Sequence, residues 1–167
     1  MICQDGFITS HAVENIELLE DADVKNFVGE YEPEDYLLNP ECPMAVGPYS
    51  ITDYYMEAKR NQAEGTRNVS RVVKEVAEDF EKLSGRKYGL FEEYRMEDAE
   101  RAVVIIGSAA GTTKDAVDRL REQGEKVGLI KIRLFRPFPA DEIAEALKNV
   151  KAIAIMDRAE SYTNHGG

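Results

Sequence analysis

The sequence predicts an α/β fold: a three-layer α/β/α unit on a mostly parallel sheet, preceded by a long helix and an extended amino-terminal arm. Three observations predict it. Short apolar runs, AVVIIGS (102–108), KVGLIKIRLF (126–135) and VKAIAIMD (150–157), alternate with amphipathic stretches, TKDAVDRLREQG (113–124) and ADEIAEALKN (140–149). Successive strand–helix–strand units build a parallel sheet with helices on its faces. Upstream, Val69, Val72, Val73, Val76, Phe80 and Leu83 recur at three- and four-residue steps, the spacing of one helical stripe. Before that, Pro33, Pro40, Pro43 and Pro48 crowd a single segment and remove the backbone donors that helices and ladders need.

Taken in order, the elements follow from local chemistry. EDADVKNFVG reads as a short acidic helix closed by Gly29, and YEPEDYLLNPECPMAVGPYS (31–50) as an extended connection. The long helix is expected from Ile51 to about Leu83, with Ser50 and Asp53 as a capping box, a weak point at Gly65, and Gly85 as its stop. Its first half carries few apolar residues, which suits packing on another chain or domain as well as it suits solvent. YGLFEEY (88–94) is a further strand candidate. The expected division is 1–48 as the tail of a preceding domain and a linker, 49–84 as a connecting helix, and 85–167 as the α/β unit.

Composition excludes several function classes. Asp and Glu number 32 against 21 Lys and Arg, a net charge of −11, so the chain lacks the basic surface that nucleic acids or anionic membranes require. No apolar run approaches the roughly 20 residues of a spanning helix, and MICQDGFITS does not read as a signal peptide. Cys3 and Cys42 are expected as free thiols in the cytoplasm. His11 and His165 have no metal-ligand spacing around them, so no metal site is expected. Ser10 and His11 are adjacent without an orienting third group. Glu75, Glu78, Asp79 and Glu81 fall off the apolar stripe and read as a solvated face.

The candidate site is a rim of strand tips. In an open parallel sheet the carboxyl ends of the strands share one edge, where ligands gather. GSAAGTT (107–113), RPFP (136–139) and DRAESYTNHGG (157–167) all follow apolar runs and fall on that edge. Ser108, Gly111 and Thr112 admit two readings: a tight turn with Thr112 or Thr113 as helix cap, or an anion or nucleotide site at a helix amino terminus. The turn reading is preferred, because the spacing matches neither GxGxxG nor a Walker loop. Arg136, Asp157 and Arg158 divide likewise between binding an anion and a structural Arg136–Asp157 pair pinning adjacent strand ends. The pair is the preferred reading.

The stretches DGFITSH, then GRKYGLFEEYRMEDAERAVVIIGSAAGTTKDAVDRLREQGEKVGLIKIRLFRPFP, then AIAIMDRAESY resemble the alpha subunits of pyruvate:ferredoxin oxidoreductases over essentially the whole chain. Relatives acting on oxoglutarate or branched-chain oxoacids read closer to TLWPFP where this chain has LFRPFP, so Arg136 points to pyruvate.

The resemblance implies oxidative decarboxylation of pyruvate to acetyl-CoA on thiamine diphosphate, with electrons passed through iron–sulfur clusters to ferredoxin. It implies that residues 85–167 form a transketolase C-terminal-like domain, and that the chain is an excised or split piece lacking the early oxoacid-binding segment. Magnesium and the clusters would belong to other subunits, beta, gamma and delta (ferredoxin-like), with no cofactor bound by this piece. No catalytic residue of the family carries over to a position here. The expected role is therefore structural, in assembly. A related 2-oxoacid:ferredoxin oxidoreductase and an anion- or nucleotide-binding module using residues 107–113 are the alternatives.

Overall fold

Alternation along two central strands sets the layers. In the computed structural model, which describes residues 2–47 and 49–158, the elements are α1 (Asp21–Val28), α2 (Tyr55–Ser84), β1 (Phe91–Tyr94), β2 (Arg101–Ile106), α3 (Ala109–Glu122), β3 (Val127–Ile132), α4 (Ala140–Leu147) and β4 (Ala152–Met156). The sheet order is β1-β3-β2-β4; β2 runs parallel to both β3 and β4, and β1 is antiparallel to β3. On one face Ile105, Val127 and Leu129 pack on Ala110 and Val117 of α3. On the other, Val104 and Ile130 pack on Ile143 of α4. Neighbouring strand residues point to opposite faces, so each helix covers one side and the expected α/β/α layering follows. The four residues Val127–Ile130 are all buried, as a strand covered on both faces requires.

Close approach at one glycine fixes the β1–β2 connection. A Cβ on Gly128 would meet the Met96 sulfur at 2.5 Å and the Arg95 carbonyl oxygen at 2.8 Å. Arg121 ties the same connection to α3: Nε donates to the Val127 carbonyl (2.7 Å), one terminal nitrogen to the Arg95 carbonyl (2.6 Å) and the other to Asp98 (2.6 Å).

Helix α2 is uninterrupted through Gly65 and stops at Gly85, which adopts the left-handed conformation at φ 69°. The weak point expected at Gly65 is not there. Nor does the Ser50–Asp53 box form: the helix starts at Tyr55, and the Tyr54 and Tyr55 amides donate to the Ile51 carbonyl instead. A preceding backbone turn satisfies those donors without a side chain. The buried stripe is narrower than the periodicity suggests, since Ala77 is buried while Val72 and Val76 are 43% and 50% exposed. Phe80 meets Phe27 of α1 edge-on (centroids 5.9 Å apart) and Tyr88 (5.7 Å), and Lys74 pairs with Glu142 of α4 (3.0 Å). Glu75, Glu78 and Asp79 are exposed, with Arg71 and Lys82 paired to the first and last, whereas Glu81 is half-buried rather than solvated as expected. Cys3 and Cys42 are free and exposed, and among the described residues no helix is long and apolar enough to cross a membrane.

Strand β4 departs from its sequence pattern. AIAIM reads as a buried run, yet all five residues are exposed, with Ile155 at 79%. It is the sheet edge beyond β2, and among the described residues nothing covers it.

Candidate functional site

The parallel strands end together. Ile106 of β2 is level with Ile132 of β3, and Ile105 with Met156 of β4, so the segments that follow leave the sheet at one edge. Residues 107–113, 136–139 and 157–158 lie on that edge, and residues 159–167, with His165, fall outside the described residues.

At the first tip Gly107 turns the chain at φ 82°, and α3 begins two residues later, inside GSAAGTT. Ser108 is the N-cap, without a side-chain cap bond, which moves the cap from the expected Thr112 or Thr113. Thr113 is already helical and its Oγ1 donates to the Ala109 carbonyl (2.9 Å). Thr112 and Gly111 are exposed in the first turn. The helix starts early because Ala109 and Ala110 are strong helix formers and Ala110 is fully buried against the sheet.

At the second tip Arg136 precedes Pro137 through a cis peptide bond and is exposed. Among the described residues it enters no ion pair, so the preferred Arg136–Asp157 pair is not formed. Strand order explains this. The pairing presumed that β3 and β4 are neighbours, but β2 lies between them, and two inter-strand steps separate the tips by roughly 9–10 Å.

The third tip makes a contact that the sequence did not disclose. The Arg158 guanidinium lies 3.4 Å from the centroid of the Phe7 ring. Two residues earlier, Asp5 Oδ2 accepts from the Phe7 amide (3.0 Å) and the Ile8 amide (2.7 Å). The Ile8 amide, helped by Ser108 and Phe7, holds the Asp5 carboxyl below the usual aspartate range although partial burial opposes it. No local pattern in DGFITSH disclosed that it reaches the third strand tip.

Nearby, Ser10 Oγ and His11 Nδ1 are 2.6 Å apart, but Ser10 Oγ also donates to the Gly6 carbonyl (3.2 Å). Both residues are exposed, and among the described residues no acidic side chain bonds His11 to orient its ring as a base. This is a turn contact, not an activated nucleophile.

Thiamine diphosphate needs a magnesium site as well as a cleft. Among the described residues no group of three or more His, Cys, Asp or Glu side chains could hold a metal ion. The rim offers guanidinium groups and two carboxylates, Asp157 and Asp5, the latter accepting from two amides. The described residues therefore do not fit the cofactor by themselves.

Comparison with known proteins adds what the geometry cannot. Residues 99–167 match the family model described as "Pyruvate:ferredoxin oxidoreductase core domain II". Residues 1–78 match the one described as "Pyruvate flavodoxin/ferredoxin oxidoreductase, thiamine diP-bdg". The pyruvate synthase subunit PorA of Thermotoga maritima is 49% identical over 97% of this chain and 41% of that protein. The chain belongs to the pyruvate:ferredoxin oxidoreductase alpha-subunit family. The PorA subunit of Methanothermobacter thermautotrophicus is 39% identical over 99% of this chain and 43% of its own length. An alpha subunit of NADH-dependent phenylglyoxylate dehydrogenase from Aromatoleum evansii is 38% identical over 96% of this chain and 40% of its own length. The chain thus spans about two fifths of the length of the curated relatives it matches.

Proposed function

We propose that this chain serves in the alpha subunit of a pyruvate:ferredoxin oxidoreductase, a cytoplasmic enzyme of anaerobic metabolism that converts pyruvate and CoA to acetyl-CoA and reduces ferredoxin. The observation that carries the proposal is the 49% identity to a pyruvate synthase subunit across 97% of the chain. Within it, residues 1–48 are the end of the thiamine-binding region and a linker, residues 49–84 connect, and residues 85–167 form the α/β domain.

The role of these residues is to brace. Thiamine diphosphate, magnesium and the iron–sulfur clusters are held where beta, gamma and delta subunits and the rest of the alpha subunit meet, not by this stretch. Thiamine supplies the carbanion chemistry when bound; Ser108, Gly111, Thr112, Arg136, Asp157 and Arg158 position the surrounding shell, which has to be fixed to within a fraction of an ångström for such chemistry. Two features favour assembly: the exposed apolar edge of β4, with Ile153, Ile155 and Met156 uncovered, and the exposed first half of α2, with Tyr55 and Met56 in water. Such patches mark contact surfaces.

Calorimetry distinguishes this from a ligand-binding module. Titration with thiamine diphosphate, CoA and common nucleotides gives no heat of binding, while a beta subunit binds. Micromolar binding of one of the small molecules, with no affinity for a beta subunit, contradicts the proposal.

A further inference from the structure

Carboxylates outnumber Lys and Arg on this chain, 32 to 21, and its arginines reflect that. Arg71, Arg95, Arg101, Arg121 and Arg133 each pair with an Asp or Glu. Arg86 does not. Its guanidinium lies over the Phe80 ring, 5.6 Å from the centroid, and its Nε is buried without an acceptor, alone in that respect among the described residues. Glu81, the nearest carboxylate along the chain, is half-buried and forms no ion pair with it. The ring accounts for where the guanidinium lies, but not for the bare N–H, which bears the cost of leaving water with no bond in return.

The surroundings of Arg86 carry an excess of positive charge. Phe80 meets Tyr88 (5.7 Å), and Arg133 lies over the Tyr88 ring (4.9 Å). Arg133 shares the Glu92 carboxylate with Lys114, and Lys131 stands opposite Glu92 in the β1–β3 ladder, where cross-strand partners share a face. Glu93 alternates to the opposite face. With Lys87 exposed next to Tyr88, these side chains form a cationic strip from the end of α2 to β3, on a chain of net charge −11.

We infer that this strip, centred on Arg86, is a docking surface for an acidic segment of another polypeptide, with one of its carboxylates accepting from Arg86 Nε. Geometry and charge select that occupant. A planar carboxylate accepts from Nε and a terminal nitrogen of one guanidinium at once. Lys114 and Arg133 already converge on Glu92, so a small anion does not have that focus to itself. What is left is charge spread over a surface, which suits a run of acidic side chains. The inference rests on the proposed assembly role, which supplies a neighbouring polypeptide, and it names the chemistry of the contact.

Two measurements on the chain alone test it, so their outcome is separate from that of the beta-subunit titration. Arg86→Met keeps a flexible side chain on Phe80 and removes the bare donor. It should raise the thermal midpoint by about 2–6 °C; an unchanged or lower midpoint would mean that Nε is satisfied within the chain and would overturn the inference. Hexaglutamate peptide, titrated at low ionic strength, should shift the Arg86 Nε–Hε and Lys87 amide resonances saturably. Lys87→Gln should weaken that binding by about two- to fivefold, the scale of one exposed ion pair. Resonances that stay put, or that move equally with hexalysine or with inorganic phosphate at matched ionic strength, would contradict an acidic polypeptide partner.

Discussion

At Gly128 a methyl group would stand 2.5 Å from the Met96 sulfur and 3.0 Å from the Ala99 Cβ, with the Arg95 carbonyl oxygen between them in distance. The sulfur can swing away but the backbone oxygen cannot. Gly128→Ala should therefore destabilise the chain by about 1–3 kcal/mol, as overpacking does, seen as a lower urea midpoint at unchanged m value. A neutral effect would show that the 95–99 connection is not pinned there. Glu92 makes a different kind of contact, accepting from Lys114 and, at 2.6 Å, from Arg133 while only 23% exposed. Burial pushes its carboxyl up, but the Lys114 hydrogen bond and the charges of Lys114, Arg133 and Lys131 outweigh that, leaving it below the ordinary 4.5. A depressed carboxyl stabilises the fold above its unfolded value and loses that contribution as pH falls through the folded one. The stability gap between wild type and Glu92→Gln should accordingly shrink below pH 4.5; a gap constant from pH 7 to 3 contradicts the ion cluster. Neither residue was singled out in the sequence. Glu92 sits in the YGLFEEY strand with nothing in that pattern to name its partners, and Gly128 interrupts an apolar run with no sign of what crosses it. Arg136 and Arg158 were visible as strand-end arginines, but which partner each takes depends on strand order, and no local pattern encodes that.

Elements were more legible than contacts, because each is written in its own period. The alternating runs place β2, β3 and β4 and the helices between them; Gly29 and Gly85 close α1 and α2 where expected. Starts were harder. Helix α3 begins at Ala109 rather than among the threonines, since helix propensity and burial of Ala110 override the cap chemistry of Thr112 and Thr113. Gly65 is the instructive residue of α2. A glycine in mid-helix suggests a break, yet hydrogen bonding on both sides carries the helix through it. It is exposed, and an added Cβ would meet nothing within 4 Å. Gly65→Ala should stabilise the chain by about 0.5–1 kcal/mol, measured as a rise in thermal midpoint. A fall instead would mean that another surface approaches α2 closely at that point.

For the whole molecule, the layered unit packs its two small cores on opposite faces of β2 and β3 and leaves β4 bare, with an acidic exterior of net charge −11 around it. The bare β4 edge and the exposed first half of α2 leave apolar surface for contact with other chains or domains, as the proposed assembly role requires. The family was legible because strand tips, turn and helix occur in one order along residues 85–158. The contact of DGFITSH with that rim was not, since it joins positions more than a hundred residues apart. The central claim is that the chain braces an active centre made elsewhere. Pyruvate-dependent reduction of a viologen dye, assayed with the purified chain, thiamine diphosphate, magnesium and CoA but no other subunit, tests it most directly. No dye reduction above the protein-free rate is the predicted result; steady turnover by the chain alone would contradict it.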